Sequence, residues 1–294
     1  MSQSSNLGTN PSFKKQLIFE KLGFSIFTLL TIVTIIPIVA VIIYIIYLGL
    51  PAISWDFLTS MPQDGMRGGG IWPAIVGTFY LTIGTAIFSV PLGIASAIYL
   101  SEYAPDNKVT QYIRLAIINL AGIPSVVYGL FGLGLFVIFL KFGTSILSAS
   151  LTLSIMTLPV IISTTEEALR AVPQSFRVVS VSLGATKWQT IRRIILPQAI
   201  PGILTGVVLG LERAAGETAP ILFTGASFFL PRLPGSPLDA TMALPYHLYV
   251  ISTQVPGMPV QIQYGTVLVL IFFVLIMNLI ATVIRSRARA RRQW

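Results

Sequence analysis

Long apolar runs at 22–50, 71–100, 115–140, 144–163, 199–226 and 265–284 dominate the chain, and its polar residues gather between them. Each run reaches the roughly 20 residues that an α-helix needs to cross about 30 Å of hydrocarbon, with tilt absorbing any excess. The pattern predicts six membrane-crossing helices. Lys14, Lys15 and Lys21 stand before the first run as in a secretory signal. That run far outlasts the about 7–15 apolar residues of such a signal, so a retained anchor is expected.

Composition narrows the class. Of 294 residues, 54% are hydrophobic and 10% charged, with a mean hydropathy of +0.83, whereas soluble domains carry about 25% charged residues. A soluble globular enzyme is excluded, and the fold class expected is an all-α polytopic membrane protein. Its organisation reads as a cytoplasmic N-terminal tail at 1–21, a six-helix domain at 22–284 and a basic cytoplasmic tail at 285–294. Cys is absent, which excludes disulfides, Cys-based zinc sites and thiol catalysis. The single His247 cannot form a multi-His metal cluster.

The net charge of +9 raises the question of a nucleic-acid partner, but no basic stripe interleaved with aromatics lies in a foldable soluble segment. Its distribution matches an orientation signal instead. Lys14, Lys15, Lys21, Lys108, Arg114, Arg170, Arg177, Lys187, Arg192, Arg193, Arg285, Arg287, Arg289, Arg291 and Arg292 fall on one side of the six runs, and Arg67, Lys141 and Arg232 on the other. Both termini are therefore expected in the cytoplasm.

Two external loops follow. The segment 51–70 ends in Gly68-Gly69-Gly70, read as a flexible approach to the second span. The segment 227–264 carries six prolines that prevent a long helix, and Phe228, Phe229, Tyr246 and Tyr249 place part of it at headgroup level. It reads either as a docking surface for an external partner or as an interfacial connector.

Within the fifth run Gly202, Gly206 and Gly210 recur every four residues, continued by Ala214 and Thr218, and form a ridge for close helix packing. Gly129, Gly132 and Gly134 are read the same way in the third. Beside the ridge lie Glu212, Arg213 and Glu217. A charge at the bilayer centre costs at least about 2.5–3.5 kcal/mol, so these residues must face a partner, a cavity or a solute path. Arg213 and Glu217 are four apart, matching an ion pair on one helix face, while Glu212 points about 100° away. Two readings stand: a buried pair that fixes packing, or an anion site whose guanidinium fork suits phosphate or another oxyanion. The residues assigned to the path are Arg213, Glu217, Glu212 and Thr218.

Between the fourth and fifth runs, 164–198 is amphipathic and basic. It reads Ser182-Leu183-Gly184-Ala185-Thr186-Lys187-Trp188, then Ile194-Ile195-Leu196-Pro197. The spacing Gly, nine residues, Ile, one residue, Leu-Pro resembles the cytoplasmic EAA loop of ABC-importer permeases, with the Glu-Ala-Ala positions occupied by Val178, Val179 and Ser180. Gly69 to Thr78, Ala97 to Ala104, Ala121 to Gly132 and Arg213 to Pro220 also resemble the PstA-type phosphate permease family.

The resemblance implies a type I ABC-importer permease fold in a bacterial or archaeal plasma (inner) membrane. It implies coupling to an ATPase through Gly184, Ala185, Thr186, Lys187 and Trp188. The partners implied are a PstC-type second permease, two PstB-type ATPases and a PstS-type external phosphate-binding protein. The chain has no Gly-x-x-x-x-Gly-Lys-[Ser/Thr] loop, so no cofactor is expected in it and ATP with Mg belongs to the partner ATPase. The alternatives are a permease for sulfate or molybdate, or an ion-coupled secondary transporter with Glu217 taking up a proton. A membrane-embedded enzyme is disfavoured, since no nucleophile, base and orienting group emerge as a set.

Overall fold

The computed structural model describes residues 11–290, with side chains described for 19–287. In chain order the helices are α1 (Pro11–Gly49), α2 (Trp55–Thr59), α3 (Trp72–Ile98), α4 (Lys108–Ala121), α5 (Ser125–Gly132) and α6 (Ile146–Arg170). Then come α7 (Gln174–Ser182), α8 (Lys187–Thr190), α9 (Leu196–Gly216), α10 (Ala219–Thr224), α11 (Leu244–Thr253) and α12 (Val260–Ala290). Stretches of π-helix extend α3 over Tyr99–Tyr103, extend α5 over Leu133–Phe139, and join α8 to α9 over Ile191–Ile195. Lys14, Lys15 and Arg289 of the charge count lie where side chains are outside the described set, and Arg291 and Arg292 lie beyond the described residues.

Among the described residues five helices are long and apolar enough to cross a membrane: Phe19–Ala52, Trp72–Tyr103, Ile146–Arg170, Lys187–Gly216 and Val260–Arg287. Counted as one broken span, the bent pair Lys108–Ala121 and Ser125–Phe139, at an angle of 101°, makes a sixth. A straight helix over 115–140 is thus corrected to two pieces. Between them lies Gly122-Ile123-Pro124, where Pro124 biases Ile123 out of the helical region and cannot donate to the preceding turn. The Tyr128 hydroxyl donates to the Leu120 carbonyl at 2.7 Å, occupying an acceptor at the end of α4.

The fifth crossing is broken too, which corrects the continuous run at 199–226. Helix α9 stops at Gly216, Glu217 is extended (φ −76°, ψ 135°), and α10 restarts after Thr218 with Pro220 in its first turn, where a missing N–H is tolerated. At its other end the fifth crossing starts earlier than expected, because α8 runs through the π segment into α9. The Glu166 to Arg170 stretch, read as part of the cytoplasmic loop, is the last turn of α6.

Helix α6 is the centre of the bundle, with α3 and α9 packed along it, α5 and α10 against another side, and α12 behind α9. The α3–α6 seam is lined by buried hydroxyls, among them Thr78, Thr82, Thr85 and Ser154. Away from water these must find acceptors within the protein. Thr78, Thr82 and Thr85 donate to carbonyls one turn back at 2.7–2.8 Å, and Ser154 reaches across to the Thr85 carbonyl at 3.1 Å. Helix α1 is exposed along most of its length and rests on α12, where Tyr44 and Tyr264 meet edge to face with centroids 5.6 Å apart.

Gly202, Gly206 and Gly210 all face α6. A Cβ on Gly206 would overlap the Thr164 side chain, and one on Gly202 would lie 2.5 Å from the Ala168 Cβ. Thr218 does not continue this row, since α9 has ended. In the third crossing Gly129 and Gly132 are packed against α10 and α6, whereas nothing lies within 4 Å of a Cβ on Gly134, so its packing role is corrected. Gly206→Leu is expected to lower stability by about 1–3 kcal/mol, and Gly134→Leu to leave it unchanged. Thermal unfolding of the two purified chains in detergent checks the contrast.

The two loops at the opposite end from α7 and α8 are packed. Gly68 and Gly69 form β2 (Gly68–Gly69), paired antiparallel with β1 (Pro62–Gln63), and the Gly70 amide donates to the Met61 carbonyl at 3.1 Å. A flexible approach to α3 is therefore corrected to a fixed hairpin. Within 227–264, α11 buries Leu244, Val250, Ile251 and His247, and the Leu244 amide donates to the Thr78 hydroxyl at 2.8 Å. Phe228, Phe229 and Tyr249 remain exposed, while Tyr246 is buried.

Helix α11 is not one of the crossings. There burial pushes the His247 imidazole down to about 4 from its ordinary 6.5, and its Nδ1 has no hydrogen-bond partner among the described residues. Between those values the unfolded chain binds the extra proton, so stability is full above about pH 6.5 and falls toward pH 4, by up to about 3 kcal/mol. His247→Gln is expected to flatten that part of the curve, read as unfolding temperature against pH.

Candidate functional site

The break between α9 and α10 positions the charged group. Arg213 lies in the last turn of α9, and Glu217 follows the helix end, with Nε to Oε1 at 3.5 Å and side chains 37% and 18% exposed. The pairing therefore does not use two positions on one helix face. The extended backbone at Glu217 swings its carboxylate back toward the guanidinium. At 3.5 Å the contact is longer than the roughly 2.7–2.9 Å of a strong charged hydrogen bond. Among the described residues the Arg213 guanidinium donates no hydrogen bond, so its fork of donors is unspent.

Irregular backbone at membrane depth persists where it is buried in protein or lines an aqueous cavity. The second break, at Gly122 to Pro124, belongs to the segment packed on α10: a Cβ on Gly129 would lie 3.0 Å from both the Ala219 carbonyl oxygen and the Pro220 Cα. The segments that follow the two breaks, α5 and α10, are thus packed on each other. Thr218 stands at the N-terminal boundary of α10 without a side-chain cap bond. Glu212 is apart from this group. It lines a pocket of about 120 Å³ between α9 and α12 with Thr205, Asn278, Thr282 and Arg285, and its Oε1 is buried without a partner.

The second group of interest lies at the other end. Gly184 takes φ +80° and turns the chain from α7 into α8 with nothing within 4 Å of a Cβ. Thr186 and Gln189 form a reciprocal capping box at the start of α8, with bonds of 3.2 and 2.9 Å. The hydroxyls of Ser180 and Thr190, both buried, meet at 2.8 Å and pin the two short helices together. Val178, Val179, Val181, Leu183 and Trp188 stay exposed, Leu183 to 83%. This is a hairpin pinned by hydrogen bonds, with an uncovered apolar face at the start of the fifth crossing. Ala185 and Lys187 complete the segment, and the Lys187 Nζ sits 5.0 Å from the centroid of the Tyr103 ring.

Sequence reasoning missed several ties: Tyr128 to Leu120, Thr78 to α11, and the ion pairs Arg177–Glu102 at 2.6 Å and Arg114–Glu166 at 2.8 Å. The spacing of Thr78, Thr82, Thr85 and Ser89 on one helix face was a readable signal for the hydroxyl seam.

A bundle of helices long and apolar enough to cross a membrane, with an unspent cation at a helix break and an exposed apolar hairpin at one end, fits a membrane permease. Residues 89–292 match the family described as binding-protein-dependent transport system inner membrane component. The chain is 36% identical over 247 residues to the probable ABC transporter permease protein YqgI of Bacillus subtilis (strain 168), covering 79% of this chain and 83% of that one. It is 35% identical over 248 residues to the phosphate transport system permease protein PstA 2 of Mycobacterium bovis, covering 83% and 80%. Its fold resembles a chain in the crystal structure of a bacterial alginate ABC transporter, with a TM-score of 0.67 at 17% identity over 93% of this chain and 96% of that one. A chain of the inward-facing MetNI methionine ABC transporter gives 0.57 at 18% identity, over 74% and 94%. The protein belongs to the binding-protein-dependent transport system inner membrane components and is a multi-pass permease subunit of an ABC importer.

Proposed function

We propose that this permease imports phosphate, forming half of the translocation path with a PstC-type second permease. In this reading PstB-type ATPases bind ATP and Mg on the cytoplasmic side, and a PstS-type protein delivers phosphate on the other. The observation that carries it is the unspent Arg213 fork beside the helix break: a guanidinium matches an oxyanion bidentately, and broken backbone supplies further polar groups. Glu217 holds Arg213 when no anion is present, which keeps the path from becoming a permanent anion trap. Thr218 adds a hydroxyl at the same level. The similarity to permeases named for phosphate transport supports phosphate over sulfate or molybdate.

The segment from Gly184 to Trp188 is the docking element for the ATPase, and the exposed Trp188 and the adjoining Leu183 are the apolar contacts. With that end in the cytoplasm, both termini lie there too, in agreement with the distribution of Lys and Arg. The membrane is the plasma (inner) membrane of a prokaryote.

The test is co-purification of the chain from its native membranes, followed by uptake in liposomes with phosphate, sulfate and molybdate in competition. Recovery of an ATPase and a second permease, with phosphate preferred, is the expected result. Uptake by this chain alone, driven by an ion gradient, would overturn the reading, as would preference for another oxyanion.

A further inference from the structure

The last turn of the second crossing, Tyr99–Tyr103, is gripped by three cations from three different elements. Arg177 of α7 holds Glu102 with Nη2 to Oε1 at 2.6 Å and Nε to Oε2 at 3.3 Å, a two-pronged pair with side chains 17% and 7% exposed. The same guanidinium donates to the Val172 carbonyl at 2.9 Å and to the Leu169 carbonyl at 3.0 Å, so it also binds the end of α6. Lys187 of α8 lies over the Tyr103 ring at 5.0 Å. Arg114 of α4 donates to the Leu100 carbonyl at 2.8 Å while pairing with Glu166 of α6. Because the Ser180–Thr190 bond ties α7 to α8, Arg177 and Lys187 belong to one body.

The contrast with Arg213 is informative. Arg213 has donors to spare, whereas Arg177 is committed to Glu102 at the end of α3, Leu169 in α6 and Val172 in the linker that follows it. A forked, largely buried Arg–carboxylate pair fixes orientation as well as distance. The hairpin is joined covalently to α6 and α9 but not to α3. Through Glu102 it is joined to α3 as well, and the far end of α3 carries Thr78, whose hydroxyl accepts from the first residue of α11.

We propose that Arg177 is a positioning residue for coupling: its pair with Glu102 makes the end of α3 move with the α7–α8 hairpin, so that ATPase motion reaches α11 through α3. The inference rests on the reading that the hairpin docks the ATPase. Movement of the hairpin then has two outputs, one along the chain into α9 and one across the ion pair into α3. Loss of the pair leaves the first output intact and uncouples the second.

The test uses the complete importer in liposomes, with ATP inside and the loaded binding protein outside, comparing the parent with E102Q and R177K. Both variants keep a hydrogen-bonding group at each position but break the charged fork. The expected result is ATPase bound at the parent level, hydrolysis continuing, and phosphate moved per ATP lowered about fivefold or more. Parent-level phosphate per ATP in both variants would overturn the proposal.

A second readout does not depend on transport. The chain has no Cys, so labels placed through Ser175→Cys and Tyr99→Cys, both at exposed positions, report the separation of α7 from the end of α3. That separation is expected to stay constant between nucleotide-free and ATP-bound states of the parent and to change in E102Q. A parent separation that changes as much as the variant's would sink the idea. Failure of the docking reading is distinguishable, because it appears as absence of the ATPase from the purified parent complex.

Discussion

Arg213→Gln is expected to lower phosphate uptake by roughly two orders of magnitude while the chain still inserts. Losing the charged partner of a bound anion costs about 2–5 kcal/mol, and each 1.4 kcal/mol is about tenfold. Insertion survives because a charge has been removed from the apolar segment, and helix α9 is held by its contacts with α6 rather than by this side chain. Glu217→Gln leaves Arg213 without its countercharge and is expected to retain anion and slow turnover instead. The reversed pair, Arg213→Glu with Glu217→Arg, separates a path from a packing device. It moves the cation from the helix end to the extended residue beyond it, so near-parent uptake by the assembled double variant would show that the pair only packs.

The second large effect is expected at Gly184, where Val should reduce uptake at least tenfold and Asn should retain most of it. Space is not the issue, since no atom lies within 4 Å of a Cβ there. Conformation is. At φ +80° a residue with a side chain is strained by about 1–2 kcal/mol, a β-branched one most, while Asn tolerates this region. A Val chain that still held the ATPase and transported normally would refute the docking assignment, and the Val–Asn contrast separates strain from mere loss of glycine.

The crossings were legible because each needs a long apolar run, and nothing else in this chain produces one. The breaks were not, although their signals were present. Pro124 and Pro220 sit within windows so apolar that the average outweighs the punctuation, and neither Gly122 nor Gly216 stands out there as a helix end. Arg213 and Glu217 were paired from their spacing, and they do meet, by a different route: an extended residue rather than a helical turn. Glu212, assigned to the path with Arg213 and Glu217, lines instead a separate pocket against α12 that depends on Asn278 and Arg285, far along the chain. Pairs such as Glu102 with Arg177, 75 residues apart, leave no mark in a local pattern.

Ahead of its break, the fifth crossing is helical from Lys187 to Gly216, thirty residues that begin at the hairpin and end beside Arg213. At 1.5 Å per residue this is a shaft of about 45 Å. Tilting it by about 5° about the hairpin end displaces the Arg213 end by about 4 Å, on the scale of an anion's diameter. Gly202, Gly206 and Gly210 form the bearing surface against α6, smooth enough for the shaft to pivot without lifting side chains over one another. In the proposed coupling a small motion of the hairpin is enough to displace Arg213 by that distance, because the gearing is already in the length of one helix.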